Sequence, residues 1–239
     1  MRESSVPTGI EVRHERTESA RLDNFVDGAF AFAITLLVIS GASLPRNVAA
    51  LEHALRGIPA FAACFAQLAL FWHGHVRWRD VVRLTDGPSL RLSLLLVFFA
   101  LIFVFPLNMA YGGFLSSISG GALSPDFAAE APSVRGIAAL FVCFGLSYTC
   151  MAGTLALLFR HGVRKARLSR EDAILARVNL LLWSACAATG LLSTIAALFA
   201  AATQIGGLIP VSGFIYGLLG FSGTLMRRYR KLLEGALPA

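Results

Sequence analysis

The stretch Arg21-Leu-Asp-Asn-Phe25-Val-Asp27-Gly28-Ala-Phe-Ala-Phe32-Ala-Ile-Thr35-Leu36-Leu-Val-Ile39 opens the first of six long apolar runs in this chain. A helix crossing a bilayer needs about 20 apolar residues, at 1.5 Å rise over a core of about 30 Å. Asp27 lies just inside the run, where an unpaired carboxylate is costly. Gly28, Ala29, Ala31 and Ala33 are small and let neighbouring helices come close. The stretch therefore reads as a membrane helix packed among others.

The other five runs are Ile58–Val76, Leu92–Phe114, Gly136–Phe159, Val178–Ala202 and Gly206–Met226, and the first extends over Phe25–Leu44. The chain is 56% hydrophobic and only 15% charged. A soluble domain is about 25% charged, so too little polar surface is present to coat a globule. Spanning strands would alternate in polarity over about ten residues, and these runs do not. The expected fold is an all-α membrane protein with six transmembrane helices.

The net charge of +7 comes from 21 Lys+Arg against 14 Asp+Glu. Eighteen of the 21 basic residues fall in the N-terminal arm, the second-to-third and fourth-to-fifth connections and the tail. Only Arg46, Arg56 and Arg135 lie in the alternate connections. By the positive-inside rule both termini are expected in the cytoplasm. The basic residues sit where lipid headgroups would be, which favours a lipid bilayer over nucleic acid as partner. The expected organisation is a polar arm at 1–20, disordered or cytosolic, a six-helix transmembrane domain at 21–228, and a short basic cytoplasmic tail at 229–239. No cleavable leader is read at the start. The connection Leu115–Arg135 reads as a flexible loop. No charge occurs between Arg177 and Arg227, so the last two runs read as an apolar hairpin.

On a helical wheel Thr35, Leu36, Ile39 and Ser43 all fall within about 60° of Phe32, on one side or the other. These residues form one stripe, which ordinary helix packing would also explain. Asp27 falls on the far side of the wheel, off the stripe. It reads as a structural hydrogen-bonding group, with Arg21, Trp72 and His75 as candidate partners.

Arg21, Phe25, Asp27 and Gly28 match the R-x-x-x-F-S-D-G signature that opens the first helix of the lysosomal potassium channel family (transmembrane protein 175) and its prokaryotic relatives. Val26 stands where that family usually has Ser. Trp72 and His75 resemble its W-x-x-H pattern, with Val76 in place of a second His, and Phe105-Pro106 is a weaker echo. The resemblance implies a potassium-permeable homotetramer in the plasma membrane of a prokaryote, one six-helix repeat per chain, with first helices lining a central pore. It implies no T-V-G-Y-G filter, and the sequence contains none. Phe32, Thr35, Leu36 and Ile39 would then form the constriction, Phe32 replacing a branched aliphatic residue, and potassium would be the transient metal in the pore. Arg21, Phe25, Asp27, Gly28, Trp72 and His75 would be the motif and structural cluster.

Two other functions fit the residues: a small proton-coupled transporter using Asp27 and His75, and a non-conducting membrane scaffold. Trp72 and Trp78 fit an aromatic belt at the membrane interface. Gly206, Gly207, Gly213, Gly217 and Gly220 suggest close packing of the last helix within the subunit. Cys64, Cys143, Cys150 and Cys186 lie in apolar runs without ligand spacing. No Ser/His/Asp set, phosphate loop or HExxH motif occurs, so neither an enzyme nor a cofactor is expected.

Overall fold

A computed structural model of the protein describes residues 9–41, 45–125 and 133–236, with side chains of the first helix from 20 to 39. Among them the helices are α1 Gly9–Gly41, α2 Val48–Arg56, α3 Ile58–Val82, α4 Gly87–Ser119, α5 Val134–Lys165 and α6 Arg170–Thr203. A last segment follows as 3-10 turns at Gly206–Leu208, α7 Ile209–Phe214, a 3-10 stretch Ile215–Phe221 and α8 Ser222–Ala236. Five of these stretches are long and apolar enough to cross a membrane, or six if α2 and α3, bent by 46°, count as one span.

Several boundaries depart from the sequence reading. Helix α1 begins at Gly9, inside the stretch expected to be a polar arm. Ser43 and the end of the first run at Leu44 lie outside the described residues, as do residues 126–132 of the supposed loop. Helix α4 continues through that loop's start to Ser119, where Gly120 caps it with φ +61. Helix α2 was not foreseen. Asn47 caps it by accepting from the Ala50 N–H at 2.8 Å, and none of its residues is buried. Pro59 in the first turn of α3 fits a new helix start, where its missing N–H is no loss.

The final run is not one α-helix. Its sixteen residues from Gly206 to Phe221 alternate between 3-10 and α winding. A 3-10 turn rises about 2.0 Å per residue against 1.5 Å. The segment therefore reaches about 29 Å, against about 24 Å for a pure α-helix, and so nearly matches the hydrocarbon thickness. Gly217 and Gly220 face open space and make no close approach within the subunit. The tight glycine contact lies elsewhere. A Cβ on Gly190 would meet the Thr149 hydroxyl and come within 3.0 Å of the Gly145 carbonyl, so α5 and α6 touch backbone to backbone.

The core is aromatic. Phe71 stacks on Trp183 at 5.4 Å and meets Phe103 and Tyr148 edge-on. Gly74 leaves room for the Trp183 ring beside α3. Trp78 is fully buried, and its Nε1 donates to the Leu158 carbonyl at 3.0 Å. It is a core residue joining α3 to α5, not an interfacial anchor as its position near Arg77 and Arg79 suggested.

Asp86 ties the arginine-rich end of the bundle together. It caps α4 by accepting from the Ser89 N–H at 3.1 Å and lies 2.6 Å from His161 Nε2 on α5. Partial burial pushes its carboxyl up, but hydrogen bonds from Ser89 and His161 outweigh that and hold it below the usual carboxylate range. A depressed folded value means that the stabilisation is present above that range and is lost as pH falls through the folded value. Asp86→Asn should therefore melt at lower temperature than the parent protein near neutral pH. The gap should close as pH falls below the usual carboxylate range, read by thermal unfolding in detergent. Gly190→Leu should lower stability by about 1–3 kcal/mol through overpacking, and an unchanged melting temperature would refute the close α5–α6 contact.

Candidate functional site

Helix α1 touches the bundle along one side only, against α3 and α4. Leu22, Val26, Phe30, Ala33 and Leu37 are buried there. Their spacing of three and four residues gives the usual stripe of a packed helix face. The opposite arc is open. Phe25 and Phe32 are each 55% exposed and Ile39 is 68% exposed, with Gly28 and Thr35 also exposed. Leu36 is half-buried at the edge of the arc. Of the stripe read from the wheel, Phe32, Thr35 and Ile39 thus lie on the uncovered face, shared with Phe25 and Gly28. A Cβ on Gly28 would meet nothing within 4 Å, so this glycine serves no packing contact inside the subunit.

The polar groups of α1 are held by α3. Trp72 Nε1 donates to Asp27 Oδ1 at 2.8 Å. One helical turn earlier, Asp23 Oδ1 lies 2.6 Å from Arg79 Nε, and Arg79 Nη2 donates to Asp23 Oδ2 at 3.3 Å. Arg79 also donates to the Leu84 carbonyl at 2.7 Å, and its guanidinium lies 5.4 Å from the Trp78 ring centroid. The helices run antiparallel, so the pairs 27–72 and 23–79 form two rungs.

His75 is not brought to Asp27. It is 2% exposed and hydrogen bonds with Ser93 Oγ at 3.0 Å, joining α3 to α4. Arg21 makes no ion pair with a described residue. It lines a hollow of about 480 Å³ with Phe25, Asp86 and Leu90. The Asp23–Arg79 pair was missed in the sequence. Its signal was there: Asp23 and Asp27 are four apart on α1, and Trp72, His75 and Arg79 follow helical spacing on α3. Among the described residues no group of His, Cys, Asp and Glu is arranged to hold a metal ion.

Thr35 Oγ1 donates to the Ala31 carbonyl at 3.0 Å. Its hydrogen is thereby used within the helix, and its oxygen lone pairs remain as acceptors on the open face.

Residues 21–106 match the model of the family described as endosomal/lysosomal potassium channel TMEM175. Over those residues the chain is similar to the TMEM175 family. The matched segment contains α1 from Arg21 through most of α4, and so both rungs and the open arc. A potassium channel of Marivirga tractuosa is 35% identical over 104 residues, which is 44% of this chain and 41% of that protein. The chain thus matches less than half the length of this curated relative. The crystal structure of a point variant of the potassium channel MtTMEM175, in complex with a nanobody–MBP fusion, superposes with a TM-score of 0.73 at 24% identity. That match covers 90% of this chain and 93% of the other, so the fold extends beyond the segment recognised by sequence.

The Trp72–Asp27 bond predicts energetic coupling between α1 and α3. A double-mutant cycle with Trp72→Phe and Asp27→Asn should give a coupling on the order of 1 kcal/mol, since a carboxylate acceptor strengthens the bond and partial exposure weakens it. Thermal unfolding of the four proteins in detergent measures it, and additive losses would show that the bond adds nothing.

Proposed function

We propose that the chain is a potassium-permeable cation channel that works as a homotetramer, with α1 of each subunit lining a central pore. The observation that carries this reading is the chemistry of α1's open arc and its rim. Apolar side chains exposed to lipid need no explanation, because lipid tails are as apolar as Leu. Asp27 is different: an ionisable group exposed at the surface of a span calls for water or protein beside it. Thr35 and the bare Gly28 turn are polar and small positions on the open arc itself, beside that rim. Other subunits around a water-filled axis would meet these needs. The TMEM175-family match over 21–106 and the names of the relatives, both potassium channels, point to the same class of transport.

In this arrangement Phe32, Leu36 and Ile39 stack as apolar rings about 5–6 Å apart along the axis. Such rings dewet the pore and impose a dehydration barrier. Potassium gives up its water more readily than sodium, and the Thr35 oxygens can replace part of that water. No T-V-G-Y-G filter is needed for a modest preference of this kind. The basic ends of the bundle, both termini included, would face the cytoplasm of a prokaryote and lie against its plasma membrane. Residues 1–20 and 229–239 would flank a channel domain at 21–228. A proton-coupled carrier would need Asp27 and His75 to share a path, yet they are engaged separately, by Trp72 and by Ser93.

Purified protein in liposomes should pass potassium down its gradient without saturating like a carrier, and should migrate as four copies. Phe32→Ala or Ile39→Ala should raise flux several-fold or weaken the preference over sodium. If neither variant, nor Leu36→Ala, changes flux or selectivity, the pore is not on this face.

A further inference from the structure

Helix α8 packs Met226 and Leu233 against the bundle, seven residues apart on one face, with Tyr229 half-buried between them. Arg170 at the start of α6 fastens its far end by donating to the Glu234 carbonyl at 2.6 Å. The face turned away carries Thr224, Arg227, Arg228 and Lys231, spaced i, i+3, i+4 and i+7. With Arg230 and Glu234 they line a hollow of about 400 Å³. Arg230 is engaged by Glu234 at 2.9 Å, and Arg227 reaches only the Thr224 hydroxyl at 3.4 Å. Arg228 and Lys231 have no anionic partner among the described residues.

The position of this hollow follows from the length of the preceding segment. Gly206–Phe221 reaches about 29 Å by its partial 3-10 winding, enough to cross the hydrocarbon and deliver α8 at the headgroup level. Leu225 and Leu232, exposed along one flank of α8, give that side an apolar edge beside the cations.

We propose that Arg227, Arg228 and Lys231 form a binding site for the phosphodiester headgroup of an anionic phospholipid in the adjoining leaflet. Charge complementarity selects the partner: three cations converge on one hollow with a hydroxyl donor, and Glu234, the acid that lines the hollow, is already paired. Basic residues beside a span bind anionic headgroups in an additive way. The site needs only that the chain spans the membrane, so it stands or falls apart from potassium conduction.

The test uses the full chain in neutral detergent, with phosphatidylglycerol, phosphatidylcholine or inorganic phosphate added, read as the rise in melting temperature that ligand binding produces. Phosphatidylglycerol should raise it and the other two should not. Arg228→Gln/Lys231→Gln should need about 30-fold more phosphatidylglycerol for the same rise, and Arg228→Gln alone about 5-fold more. The charge-keeping pair Arg228→Lys/Lys231→Arg should respond like the parent protein. An undiminished response in the Gln variants, or an equal response to phosphatidylcholine, would overturn the site and leave these cations as determinants of topology. An equal response to inorganic phosphate would overturn the lipid assignment.

Discussion

A charged side chain inside a membrane span has to find partners, and in this protein α3 supplies them for α1. Trp72 holds Asp27 and Arg79 holds Asp23, two rungs on successive turns of α1. Apolar packing in lipid gives little directional preference between faces of a helix. The rungs therefore set the rotation of α1 about its axis. Once that rotation is fixed, Val26, Phe30 and Ala33 must point inward and Phe32 and Ile39 must point out. The open arc follows directly from where two carboxylates are bound.

Much of this was legible in residue order. The long apolar runs and the alternation of basic connections gave the helical membrane class before any contact was known. The wheel put Asp27 and the Phe32 stripe on different faces of α1, and the structure separates them in the same sense. Trp72 as a partner for Asp27 could be read from the motif because an indole N–H is a donor only, and a carboxylate accepts.

What was not legible had a common cause: it depends on which of several suitable neighbours a side chain meets. His75 could have reached a carboxylate, yet Ser93 on α4 is the group in range. Trp78 has the composition of an interfacial anchor, but its indole is consumed by the Leu158 carbonyl deep in the bundle. The glycines of the last segment looked like a packing seam, whereas the close approach falls at Gly145 and Gly190, isolated glycines in otherwise ordinary runs. Hydropathy also cannot distinguish 3-10 from α winding, because both leave the segment apolar.

Phe32 is where the local geometry matters most for the proposed pore. A long helical side chain leans toward the N-terminus and covers the turn before it. For Phe32 that turn carries Gly28, which has no side chain and has open space around it. In the proposed pore the Phe32 ring would therefore lie beside a bare stretch of backbone, not against another side chain of its own helix. A branched aliphatic residue at this position would have less reach and less difference between its rotamers. The rungs at Asp23 and Asp27 bind the other side of the helix, and so leave the face around Phe32 and Gly28 uncovered.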